Sequence, residues 1–144
     1  MVAHTRISCA IFLACIALAS AWAVDYVRLT ADDTGDNSSF IQLSRWSDGQ
    51  LPHPDADYIV TNNFLLRAPK AGNEGSSTNH VFGGRSLTIG TTNSAGRLGV
   101  RTRSTEKTTV DNLIFVKGQL RQIVNNNDTR LHGAITVQSP SNTP

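Results

Sequence analysis

Beyond Ala23 the chain has no cysteine, because Cys9 and Cys15 both fall in the N-terminal segment. That excludes disulfide staples, cysteine nucleophiles and cysteine-ligated zinc from whatever the rest of the chain builds. Aromatic residues are few, at 6% of the chain, and Trp46 is the only tryptophan left after Ala23. Charge of one sign is also lacking. Of the 13 basic residues only Arg6 precedes Val24, which leaves 12 against 11 acids and a net charge of +1. A nucleic-acid footprint would need a clustered basic patch, so no nucleic-acid partner is expected. The stretch RLGVRTR, Arg97 to Arg103, is locally basic, but acids elsewhere balance it and it reads as a solvated strand face. Helical periodicity is missing too: no segment places apolar residues at three-four spacing over three turns.

The N-terminal segment reads as a targeting signal rather than as fold. MVAHTR gives a short basic region, ISCAIFLACIALAS an apolar run too short for a spanning helix, and Ala21-Trp22-Ala23 a small-x-small cleavage pattern. Residues 1–23 are therefore expected to be a secretory signal peptide, cut after Ala23, with Ala21 and Ala23 as the recognised positions. Phe12-Leu13-Ala14-Cys15 lacks the leucine that a lipoprotein site places three residues before its cysteine. Cleavage after Ala23 leaves Val24 to Pro144, enough for one small domain with a core. A disulfide-free chain sent to an oxidising space points to a bacterial exported protein, or to a fold held by long backbone ladders.

What is present is a series of short β-type runs. They are Tyr26–Leu29, Phe40–Leu43, Tyr58–Val60, Phe64–Arg67, Ser86–Ile89, Arg97–Val100, Thr109–Val116, Gln119–Val124 and Ala134–Val137. Clusters of Gly, Asn, Ser, Thr and Asp separate them. The pattern is all-β, as in a sandwich, a barrel or a solenoid. Three of the runs repeat: GRSLTIG, VDNLIFVKG and LHGAITVQ each carry a three-residue core, starting at Leu87, Leu113 and Ile135. The intervals from Leu87 to Leu113 and from Leu113 to Ile135 are close to one turn of a parallel β-solenoid, in which inward apolar residues stack in columns. A right-handed parallel β-helix with an N-terminal cap is the expected fold, and a β-sandwich is the alternative. Asparagines crowd the turns, in TNN, TTN and NNND, where left-handed backbone is tolerated.

Candidate chemistry is sparse. Asp55 and Asp57 are two apart before a strand, a spacing that could pair carboxylates for calcium or for acid–base work. No basic, histidine or glycine context completes a site around them. The expectation is a structural corner, with Asp55 in a turn after Pro54 and Asp57 accepting backbone bonds where the strand begins. DDTGDN, Asp32 to Asn37, has oxygen ligands about a glycine but lacks the closing Glu and the spacing of a calcium loop, so it reads as an acidic turn. His53, His80 and His132 have no metal-ligand spacing. No Gly-x-Ser-x-Gly elbow and no phosphate loop occur. Asn37-Ser38-Ser39 and Asn127-Asp128-Thr129 match the glycosylation pattern, which matters only in a eukaryotic host. Trp46, in RWSDGQLPHPDADYIV, is expected to plug the open end of the stack rather than to serve as a sugar platform. Trp46, Pro52, Pro54 and Asp57 together form the expected structural cap.

The order SFIQLSRWSDGQLPHPDADYIV, NNFLLRAP, VFGGRSLTIG, GRLGVR, TTVDNLIFVKGQL resembles the N-terminal region of bacterial exported autotransporter-type proteins, including those with autotransporter-associated β-strand repeats. The resemblance covers most of the chain after Ala23. It implies a β-helix placed outside the cell, and it divides the chain into a signal peptide (1–23), an N-terminal cap with the first strands (24–82), and solenoid coils (83–144) that would continue in a longer protein. It further implies secretion through the Sec pathway, with cell-surface or outer-membrane association. The expected role is non-enzymatic: a stalk, adhesin or passenger scaffold with no catalytic, metal or cofactor site. Its partners would be cell-surface glycan or host and matrix components, and its membrane contact would be the signal peptide or a C-terminal anchor. The alternatives are the N-terminal part of a carbohydrate-active β-helix enzyme, a polysaccharide lyase or hydrolase, and a small secreted glycan-binding module.

Overall fold

The computed structural model describes residues 25–42, 45–70, 79–101, 107–123 and 130–138. The expected signal peptide with Ala21 and Ala23 lies outside these residues, as do Arg103 and Asn127-Asp128-Thr129. The described residues form nine strands and no α-helix. In chain order the strands are β1 (Val27–Arg28), β2 (Asp57–Val60), β3 (Leu65–Arg67), β4 (Asn79–Val81), β5 (Ser86–Ile89), β6 (Gly96–Val100), β7 (Lys107–Phe115), β8 (Gly118–Gln122) and β9 (Leu131–Val137).

Every ladder between these strands is parallel. One sheet runs β1-β2-β5-β7, with β9 continuing from β7 and β4 pairing the first residues of β7; the second sheet runs β3-β6-β8. The sequence spacing is what aligns them. Leu87 pairs with Leu113 and Leu113 with Ile135, so the three repeated cores fall in one column, which Tyr58 extends on the other side of Leu87. Val60, Ile89, Phe115 and Val137 make a parallel column two residues along. On the second sheet Leu66, Leu98 and Leu120 do the same. Side chains alternate along a strand, so one set of alternate residues faces the core on every successive pass. Tyr58, Leu87, Leu113, Val60, Ile89, Leu66 and Leu98 are all fully buried, and burying each is worth roughly 1.5–3 kcal/mol. The β2–β5 ladder crosses the expected boundary at residues 82 and 83, so the segments on either side share one hydrophobic core.

Two features of the turns follow from backbone geometry. Asn62 and Asn63, between β2 and β3, have φ of 57° and 58°, the left-handed conformation that asparagine accepts more readily than most residues. Ser94, in the turn of the next pass, accepts the Asn62 N–H on its Oγ at 2.8 Å, so the two turns are tied to each other. Gly90 leaves β5 with φ of 81°, and a Cβ there would run into the Lys117 carbonyl. The close approach of one corner to the next thus requires glycine.

The sequence reading is corrected at two places. Of the run Phe40–Leu43, the described residues 40–42 form no strand: residues 40 and 41 lie in a turn, with the Ile41 N–H donating to the Ser38 carbonyl at 3.1 Å, and Leu43 lies outside the described residues. Phe40 is apolar because it fills the core, not because it pairs in a sheet. Conversely β4, with the sequence Asn-His-Val, falls in a stretch read as linker. It pairs with the ladder offered by Lys107–Thr109, which sets a strand where two of its three residues, Asn79 and His80, have little propensity for one.

Candidate functional site

RWSDGQLPHPDADYIV builds the first notable cluster. Its first residues, Arg45–Ser47, lie along the outer side of β1, and its last four are β2. Leu29 and Trp46 form an antiparallel bridge, the Thr30 N–H donates to the Arg45 carbonyl at 2.9 Å, and the Ser47 N–H donates to the Arg28 carbonyl at 2.9 Å. A strand edge that would otherwise meet water is thereby covered. The Trp46 side chain turns inward and the residue is only 3% exposed. Its Nε1–H donates to the Ser39 carbonyl at 2.6 Å, and its ring meets Tyr58 edge-on at 4.8 Å and Phe82 at 6.1 Å. Buried in this way, the indole offers no platform to a sugar ring.

The prolines set the corner. His53-Pro54-Asp55-Ala56 is a turn closed by the Ala56 N–H to the His53 carbonyl at 3.3 Å, with proline at the position where its fixed φ fits. The His53 N–H donates to the Tyr58 hydroxyl at 3.1 Å, which satisfies the one polar atom of a buried ring. Pro52 is half-buried, and its carbonyl lies so close to Gly83 that no side chain would fit there.

Asp55 and Asp57 do not work as a pair. Asp55 is exposed in the turn, whereas the Asp57 side chain is 14% exposed and faces Arg85. Arg85 Nε donates to Asp57 Oδ1 at 3.0 Å and a second guanidinium nitrogen donates to Oδ2; the Ser86 hydroxyl also donates to Oδ1, at 2.6 Å. Asp57 therefore takes side-chain donors from the next pass of the chain, not the backbone bonds expected at the strand's start. Hydrogen bonds from Arg85 hold its carboxyl below the usual value; burial opposes this, and the Ser86 bond and the Arg85 charge add to it. Asn112 extends the same outer row, with its Nδ2 donating to the Arg85 carbonyl at 3.0 Å. Tyr26, Thr136 and this row line a shallow groove across four strands. Its polar groups are largely bonded to one another, so it presents an internally satisfied surface and not a poised acid or base.

The acidic turn and the basic run turn out to be one structure. Asp33, 1% exposed, accepts the Ser39 N–H at 2.9 Å, the Ser39 hydroxyl at 2.6 Å and the Arg67 N–H at 2.8 Å. Arg101 is not solvated, which corrects the reading of RLGVRTR as a solvated face. Its side chain is 3% exposed, and its guanidinium donates to the carbonyls of Ala68 (2.8 Å), Gly35 (3.0 Å), Asn37 (3.0 Å) and Asp36 (3.4 Å). Arg97 reaches the Asn63 carbonyl at 2.6 Å and Asp32 at 3.3 Å, and Arg67 reaches the Gly35 carbonyl at 2.6 Å. Burial lowers the Arg101 pKa, as does the nearby Arg67 charge, while Asp36 and Asp33 oppose them. The guanidinium fork, with five fixed donors, takes the carbonyl cradle that a cation would otherwise fill.

The histidines do not converge. His53 is half-buried beside Tyr58, His80 is buried on β4 and His132 is exposed on β9. Among the described residues no group of three or more His, Cys, Asp or Glu side chains is placed to hold a metal ion. Sequence reasoning missed Arg85 and Arg101 as structural partners. The only signal for either was the spacing that sets Asp57 beside Ser86 and Arg67 beside Gly99. Comparison with protein-family models, curated proteins and solved structures finds no match to this chain.

Proposed function

We propose that the chain is an exported bacterial protein whose parallel ladders are the opening coils of a right-handed β-helix, acting outside the cell as a scaffold: a stalk, an adhesin or the passenger part of a surface protein. The observation that carries this reading is the column Tyr58–Leu87–Leu113–Ile135, four passes of the chain in parallel register. Parallel neighbours joined by crossovers are overwhelmingly right-handed. They give a rod whose stability comes from repeated pairing, which suits a disulfide-free protein in an oxidising space. An antiparallel sandwich would not generate these ladders. Trp46 with Pro52, Pro54 and Asp57 closes the first coil on this reading, and the leader with Ala21 and Ala23 directs export.

The test is to express the full chain in a bacterial host with its own leader and to sequence the N-terminus of the product outside the cytoplasm. A product beginning at Val24 is expected. A chain kept in the cytoplasm with Met1 intact would remove the exported role.

A further inference from the structure

Trp46 is closed to a sugar ring, but a second aromatic residue stands open beside it in the fold. Among the described residues Phe40, Trp46, Tyr58 and Phe82 are buried in the core, and Phe64 and Phe115 pack against it. Tyr26 belongs to neither group and is only half-buried. Its side chain makes no hydrogen bond and no ring contact among the described residues. The neighbouring Val27 packs on the core, and side chains alternate along an extended chain, so Tyr26 turns to the outer side. The Val27–Tyr58 pairing sets Tyr26 beside Asp57, and the registers of β2 with β5 and of β5 with β7 carry the row on through Ser86 to Asn112. Tyr26 thus separates two shallow hollows. Asp57, Arg85 and Asn112 help to line one, and Asp25, Ser47 and Asp48 the other. The row runs along the side of the strand stack and not across an end of it, so a further pass of chain would lengthen the row without covering it.

We propose that Tyr26 is the stacking platform of a binding site for an uncharged glycan chain laid along this row. The inference rests on the exported role, which removes the apolar leader ahead of Val24 and puts the row where glycans are. The chemistry of the row selects the ligand. One face of a pyranose ring is a patch of C–H groups with slight positive charge, which packs on the negative face of an aromatic ring. Around that patch are hydroxyls, each both a donor and an acceptor. The row mixes the two kinds of group in the same way. The Asp25 and Asp48 carboxylates are exposed acceptors on one side of Tyr26. The Arg85 guanidinium, 57% exposed, and the Asn112 amide lie on the other. A phosphate, sulfate or uronate chain meets its own sign at the aspartates, and a basic peptide meets it at Arg85. A chain of hydroxyls meets no like charge anywhere along the row.

Titration calorimetry on the purified protein reads the proposal directly. The probes are uncharged hexasaccharides of glucose, mannose, xylose and galactose, with hexagalacturonate and a sulfated heparin hexasaccharide as the acidic counterparts. At least one uncharged probe should bind with a Kd on the order of 0.1 mM, and more tightly than either acidic one. Tyr26→Ala should weaken that binding at least ~10-fold while leaving the urea midpoint unchanged. Tyr26→Phe, which keeps the ring, should stay within about threefold of the native protein. The proposal is overturned by no binding to any uncharged probe, by preference for an acidic one, by binding indifferent to Tyr26→Ala, or by a Tyr26→Ala variant whose urea midpoint falls along with its affinity. A chain processed to Val24 that binds no uncharged probe overturns this proposal alone. A chain left at Met1 overturns the exported role, whatever the titrations show.

Discussion

Trp46 meets Tyr58 edge to face, with ring centroids 4.8 Å apart, and this contact joins the covering of the first strand to the core column that runs through Tyr58, Leu87 and Leu113. The indole adds a hydrogen bond to the Ser39 carbonyl. Trp46→Ala should lower the unfolding free energy by about 3–5 kcal/mol, as for other large core aromatics. Trp46→Phe should cost less, chiefly the unmet Ser39 carbonyl at about 1–3 kcal/mol. Urea titration followed by circular dichroism measures both. A stable Trp46→Ala variant that had lost a ligand would instead make Trp46 a binding residue.

Arg101 is the clearest case of a buried charge holding carbonyls in place. Replacing it with leucine leaves the carbonyls of Gly35, Asp36, Asn37 and Ala68 without this donor, and a loss of about 1–3 kcal/mol for each one that stays buried is expected. Arg101→Lys should recover little, since an ammonium cannot span the cradle. Because the guanidinium already occupies it, millimolar calcium should leave the melting temperature of the native protein unchanged. A clear rise with calcium would assign the Asp32–Asn37 loop a metal role.

How much of this could be read beforehand depended on whether a residue's job was local or set by stacking. The strand cores at Leu87, Leu113 and Ile135 were visible because apolar residues recur near the length of one pass, and the structure places them in one column. Asn62 and Asn63 were visible because left-handed backbone has a residue preference. Phe40 was misread because a short apolar run looks the same whether it plugs a core or pairs in a sheet. Asp57 with Arg85, and Arg101 with the loop at 35–37, were invisible for a different reason. Arg85 lies 28 positions from Asp57, and Arg101 lies 66 from Gly35 and 64 from Asn37, so only the register brings these partners together. Arg101 reads as a surface residue by composition, and becomes a core residue because the loop folds over it.

The ends of the pH range should expose two ionisations. Asp57 is held below its unfolded value of about 3.9, so its contribution is present above that pH and is lost as pH falls through the lower folded value. Asp57→Asn should flatten the acid limb of the stability curve. Tyr58 behaves oppositely. Burial raises its pKa most, with the His53 N–H bond opposing and Asp48 adding, so its contribution is present below about pH 10 and is lost as pH rises through the higher folded value. Tyr58→Phe should flatten the alkaline limb. Urea midpoints across the range measure both, and an acid limb unchanged in Asp57→Asn would mean that the Arg85 pairing contributes nothing in solution.

The register of the last two strands can be checked chemically, because the chain past Ala23 has no cysteine to interfere. Asn112 and Ala134 are direct partners in the β7–β9 ladder, and both are exposed. Neighbouring strands lie about 4.8 Å apart, within the Cα separation of about 4.4–6.8 Å that a disulfide bridges. Asn112→Cys combined with Ala134→Cys should therefore oxidise readily to an intramolecular disulfide, seen as faster migration on a non-reducing gel. It should also raise the melting temperature, since the bridge closes a loop in the unfolded chain. Asn112→Cys with Thr136→Cys shifts the pair by two positions, to about 8 Å, outside that range. Equal cross-linking in the shifted pair would mean that β9 slides along β7. Cross-linking in neither would mean that the two strands are not neighbours, and the column that ends at Ile135 would have to be redrawn.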